Sequence, residues 1–216
     1  MDWEAKLAWA RAEHEARAGR PPAADERPDL HLAAVAGAAW AAGLAALMLG
    51  RLDEAAGWLR RAAGEYRASW QLAPPGSWGR PIAALRCRLM AGDRDGARRD
   101  AEWALSAGAL PASGPIQRYC AVLALLVLGE DEAAAREADV LLEEGLEPRA
   151  VAEALAALAR RDASAYERAA RGVLRSFETR DAFLEDVRVA DTVLVLQALA
   201  VERGLHVALP SDLLPV

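Results

Sequence analysis

The stretch from Ala39 to Ala62, AWAAGLAALMLGRLDEAAGWLRRA, constrains this chain most. It has the pattern of one antiparallel helix pair joined by a tight turn at Gly50-Arg51-Leu52-Asp53. From Leu32 to Gly50 there is no charged side chain, a run long enough to span a bilayer. Its content argues otherwise: most of the run is Ala and Gly, and it flows directly into the turn. A helix buried in a protein core is the expectation. The partner helix is expected over residues 52–72, with Ala55, Leu59 and Ala62 on one face and Arg60 and Arg61 toward solvent.

Echoes of that turn follow downstream. Helices are expected over 82–91 and 95–107 around Gly92-Asp93, and over 116–128 and 132–144 around Gly129-Glu130. A further pair, 150–160 and 164–178, turns at Arg161-Asp162 without glycine. Superposing the turns aligns Gly50, Gly92, Gly129 and Arg161, each followed five residues later by Ala55, Ala97, Ala134 or Tyr166 facing the preceding helix. The spacings between turns are 42, 37 and 32 residues, near the length of a two-helix unit. A first helix is expected from Asp2, a good N-cap, to Ala18, with Trp3, Leu7 and Ala10 on one stripe. Asp29, after Pro28, is expected to cap the next helix. Residues 187–201 are apolar nearly all round and predict a buried helix that Gly204 can stop. β-Branched and aromatic residues are too scattered for a sheet, so the chain is expected to be all-α, a single elongated domain over 1–216.

Composition excludes more than it identifies. A net charge of −6 argues against non-specific binding to nucleic acid or to an anionic membrane. Cys87 and Cys120 lie inside apolar helical segments, the usual place of a free thiol, and the charged N-terminus lacks an apolar signal core. A cytoplasmic protein fits both observations. His14, His31 and His206 stand at no metal-ligand spacing, so no metal and no cofactor is expected. His14, between Glu13 and Glu15, is expected on a solvated helix face. No nucleophile elbow, phosphate loop or dinucleotide fingerprint occurs, and an enzyme is not expected.

Gly43, Gly50, Leu52, Ala55, Leu59 and Ala62 resemble the small and apolar pattern of the tetratricopeptide repeat family. The resemblance covers residues 37–177 and is strongest in this first unit. The second and third units carry Leu85 and Val122 where the family has a small residue, and no unit closes with the family's proline. The resemblance implies a right-handed α-solenoid of antiparallel helix pairs, about ten helices in all, with an inner surface that binds peptides or proteins. It places Trp40 and Leu44, Ile82 and Arg86, and Tyr119 and Leu123 on that inner surface. Such a face either takes an apolar partner segment or is filled by the chain's own terminal helices. Self-filling is favoured, because soluble proteins seldom leave large apolar patches open.

Beyond the repeats lie the buried helix, taken as 187–203, and a tail, 204–216. Within them, the pattern from Ala190 to Pro215, with Arg203-Gly204-Leu205 and HVALPSDLLP, resembles the C-terminal end of some bacterial all-α immunity proteins. That likeness implies a toxin-neutralising inhibitor as the alternative function. Two features of the sequence itself suggest a binding surface. Trp70 and Trp78 bracket the loop QLAPPGSWGRP, where rigid aromatics either anchor a partner or pin the loop to its own scaffold. The arginines Arg80, Arg86, Arg88, Arg94, Arg98 and Arg99 outnumber their local acids, and internal pairing is the expected explanation. The chain is therefore expected to act without catalysis, by binding a protein, a peptide or a second copy of itself. Trp40, Trp70, Trp78, Arg80, Arg86 and Tyr119 are the candidate partner-binding residues.

Overall fold

In a computed structural model, residues 1–23 and 26–215 are described, and they form ten α-helices and no strand. These are α1 (Trp3–Ala18), α2 (Pro28–Met48), α3 (Leu52–Leu72), α4 (Gly79–Met90) and α5 (Arg94–Ala104), then α6 (Pro115–Leu128), α7 (Asp131–Glu144), α8 (Arg149–Arg160), α9 (Ala163–Glu178) and α10 (Asp191–Val201). The chain gathers into two compact units. The first comprises Met1–Asp93, Asp181–Val189 and Asp212–Val216; the second comprises Arg94–Arg180 and Ala190–Ser211.

The four superposed turns share one backbone geometry. Gly50, Gly92, Gly129 and Arg161 all have left-handed backbone, with φ of 70, 63, 80 and 55°. At each, the amide of that residue donates to the carbonyl three residues back, and the next amide donates to the carbonyl five back. At Gly50 these are Gly50 N to Leu47 O at 2.9 Å and Arg51 N to Ala46 O at 3.0 Å; at Arg161 the second is Asp162 N to Ala157 O at 3.0 Å. Two orphan carbonyls at each helix end are thereby satisfied, which is why the chain reverses there. Gly204, with φ of 69°, ends α10 by the same two bonds. Five residues past the first four turns, Ala55, Ala97, Ala134 and Tyr166 are all buried.

In the first unit α2 packs against both α1 and α3, and α3 packs against α4. The closest approach falls at Gly43: a Cβ there would lie 2.6 Å from Leu59 Cγ and 3.3 Å from Leu59 N. Leu59 is therefore the residue nearest to Gly43. α2 is long and apolar enough to cross a membrane, yet 72 % of its most apolar stretch is buried within the fold. In the second unit each of α5 to α9 packs on the next, and α10 packs on α8 and α9.

Three local expectations are corrected. Asp29 does not cap α2: Pro28 opens the helix, where its missing N–H costs nothing, and Asp29 sits in the first turn. α10 begins at Asp191; residues 187–190 are non-helical, with Val187 and Val189 buried. The helix expected to reach residue 107 is regular only to Ala104, then widens into a π-turn, Leu105–Ala109, that ends at a left-handed Gly108. Asp2 does cap α1, accepting from Ala5 N at 3.0 Å, and Asp162 caps α9 in the same way. Cys87 and Cys120 are free and buried, and burial pushes the Cys120 thiol up to about 12.

Candidate functional site

The loop after α3 is fixed from below. Trp70, in the last turn of α3, meets Trp78 with ring centroids 4.9 Å apart in a tilted arrangement. Arg80, in the first turn of α4, turns inward: its Nε donates to Ser69 Oγ at 2.9 Å, and its guanidinium lies 3.6 Å from Asp29 Oδ2. Ser69 passes the contact on, its hydroxyl donating to the Asp29 carbonyl at 2.7 Å. Arg27 holds the same Asp29 carboxylate through two bonds, at 3.0 and 2.9 Å. Asp29, its buried carboxylate flanked by two guanidiniums and its main-chain carbonyl held by the Ser69 hydroxyl, thus ties the start of α2 to the end of α3 and the start of α4. Above this brace the loop stands in solvent, with Leu72 57 % exposed and Pro74, Pro75 and Gly76 exposed beside it.

Of the six candidate partner-binding residues, the structure brings Trp70, Trp78 and Arg80 together around this loop. Trp78 is buried, Trp70 half-buried, and Arg80 points into the polar brace. Arg86 is half-buried on α4 and Trp40 is buried within α2. Tyr119 is buried on α6, in the other unit. The arginine-rich region is largely engaged: Arg88 pairs with Asp93 at 2.7 Å and Arg94 with Glu202 at 3.2 Å.

Two polar sites escaped the sequence pattern. His14 is 4 % exposed, its Nε2 lies 2.7 Å from Glu65 Oε1, and its ring meets Trp58 edge-on at 5.3 Å. The expectation of a solvated His14 is thereby corrected. A signal was present, since His14 continues the Leu7 and Ala10 stripe of α1 at helical spacing.

The second missed site lies where residues Asp181–Val189 return to the first unit. Arg17 of α1 donates to both carboxylate oxygens of Glu185, at 3.2 and 3.4 Å, and to the Ala34 carbonyl at 2.8 Å. Lys6, on the same helix, donates to the Glu185 carbonyl at 2.5 Å. Burial lowers the Lys6 pKa, against the opposing pull of Asp186 and Glu185. Gly37 of α2 leaves the room: a Cβ there would stand 2.9 Å from Glu185 Oε1. No pairing rule along the chain links residues so far apart. Among the described residues, no three His, Cys, Asp or Glu side chains gather as a metal site requires. No protein-family model matches this chain, and comparison with curated proteins and with solved structures finds no match.

Proposed function

We propose that this chain is a non-enzymatic binding scaffold, a tetratricopeptide-like right-handed solenoid of antiparallel helix pairs acting in the cytoplasm. Its partner is a protein or peptide, or a second copy of the chain. The observation that carries this is the recurring turn: the same two hydrogen bonds at Gly50, Gly92, Gly129 and Arg161, with a buried residue five positions on each time. Such a module offers packing and surface rather than reactive groups. Its partner-facing surface is the exposed loop at Leu72 and the prolines, which Trp70, Trp78 and Arg80 brace from beneath and so present at little entropy cost. A toxin-neutralising inhibitor would use the same chemistry and differ only in its partner.

The test is capture from native lysate on the immobilised chain, with light scattering to read self-association. Leu72→Asp should abolish the captured band or the assembly while leaving the helical circular dichroism signal intact. Capture and association equal to those of the unmodified chain would overturn this assignment of the surface.

A further inference from the structure

The return of residues 181–189 has the features of a ligand seated in a receptor. Arg17, Lys6 and the bare face of α2 at Gly37 converge on one residue, Glu185, engaging both its carboxylate and its carbonyl. Only Val187 and Val189 of this segment are buried beside it, while Asp181, Ala182, Leu184, Asp186 and Arg188 are exposed. Glu185 and Asp186 both hold left-handed backbone, with φ of 50 and 51°, a conformation that favours glycine. The segment therefore accepts backbone strain in order to deliver one carboxylate and two valines.

We propose that the notch formed by Arg17, Lys6 and Gly37 on α1 and α2 is a docking site for an acidic loop segment of a partner protein, with the chain's own residues 181–189 as its resident, exchangeable occupant. This rests on the binding function above and names the chemistry of the partner. A guanidinium that takes both oxygens of a carboxylate selects Glu or Asp. The adjacent Lys6 ammonium, bound to the Glu185 carbonyl within the Leu184–Asp186 turn, selects a segment that leaves that carbonyl free to accept. Gly37 leaves room for the carboxylate itself, since a Cβ there would stand 2.9 Å from Glu185 Oε1 and push the side chain aside. A partner segment that meets the same groups without the left-handed pair would compete with the resident one.

The experiment uses the full chain carrying Glu185→Ala and a fluorescein-labelled peptide of residues 181–189, DAFLEDVRV, followed by anisotropy. The peptide should bind this variant about fivefold tighter than it binds the unmodified chain. Binding should weaken with added salt, and it should weaken about fivefold when the peptide's Glu is replaced by Gln or when Arg17→Ala is added to the chain. Should Glu185→Ala fail to fold by circular dichroism, the unmodified chain with excess peptide serves instead. Hydrogen exchange of residues 183–189 should then accelerate as the peptide displaces them. Absence of saturable binding to a folded variant, equal binding of the Glu and Gln peptides, or unaltered exchange under excess peptide would each overturn the proposal. Because the readout is this peptide and not lysate capture, the notch can fail while Leu72-dependent capture stands, and the reverse.

Discussion

Both units are completed by a late return of the chain, and the two returns are held by opposite means. In the first unit, residues 181–189 are fixed by charge: Arg17 and Lys6 grip Glu185, and two valines are buried beside it. In the second, α10 is fixed by apolar burial, with Val193, Val195, Leu196, Leu199 and Ala200 all buried. Its end carries a buried charged lock, Arg203, which donates to Leu126 O at 2.7 Å and Asp131 Oδ1 at 2.6 Å. Apolar burial is not screened by salt and scales with area, whereas partly exposed ion pairs contribute little net and are screened. The first return is thus the one built to let go.

The largest effect should come from the apolar side of that contrast. Leu199→Ala removes a fully buried side chain of α10 and should cost roughly 2 to 5 kcal/mol, read by chemical denaturation. A loss under about 1 kcal/mol would mean that α10 is not core. Arg203→Ala should follow at about 3 kcal/mol, since the guanidinium is 4 % exposed and its removal leaves the Leu126 carbonyl and Asp131 without it. Asp131 keeps Arg161, at 3.0 Å, which should hold the loss below that of an isolated buried charge. Arg17→Ala should cost only about 1 kcal/mol, because Arg17 and Glu185 are both partly exposed. That cost should shrink in high salt, whereas the cost of Leu199→Ala should not. Equal salt dependence in the two variants would erase the contrast.

A smaller effect separates the turns. The first unit makes both of its turns with glycine, whereas the second makes one with Arg161 at φ of 55°. A non-glycine residue there costs about 1 kcal/mol, and the exposed Arg161–Asp131 pair returns less than that. Arg161→Gly should therefore raise stability by about 0.5 kcal/mol, and Gly129→Ala should lower it by about 1 kcal/mol. A lower melting temperature for Arg161→Gly would show that the ion pair outweighs the backbone strain.

How much of this was legible follows from the range of each interaction. The helix over 52–72 and the Asp2 cap depend on neighbours within a turn or two, and the sequence pattern places both where the structure has them. The Arg161 turn was legible despite lacking glycine, because the flanking helices fix its register. Gly43 and Leu59 both stood in the small and apolar pattern of the first helix pair, but that the two meet was not legible, since the pattern does not say which residue of α3 faces which residue of α2. The Trp70–Trp78 contact was open in the sequence between anchoring a partner and pinning the loop, and composition cannot decide which way a ring faces. Trp40 and Tyr119 illustrate the same limit: aromatic type suggests a contact surface, yet both rings lie buried. The Glu185 notch left no local trace, because it joins residues from α1 and α2 to a segment far along the chain.

Hydrogen exchange resolved by residue tests the contrast between the two returns most directly, because it reads both in one sample. The amides of residues 183–187 should exchange faster than those of residues 195–199, and molar salt should speed the first set while leaving the second unchanged. Equal exchange in the two segments, or a return of residues 181–189 that is indifferent to salt, would contradict the claim that charge holds one and apolar burial the other.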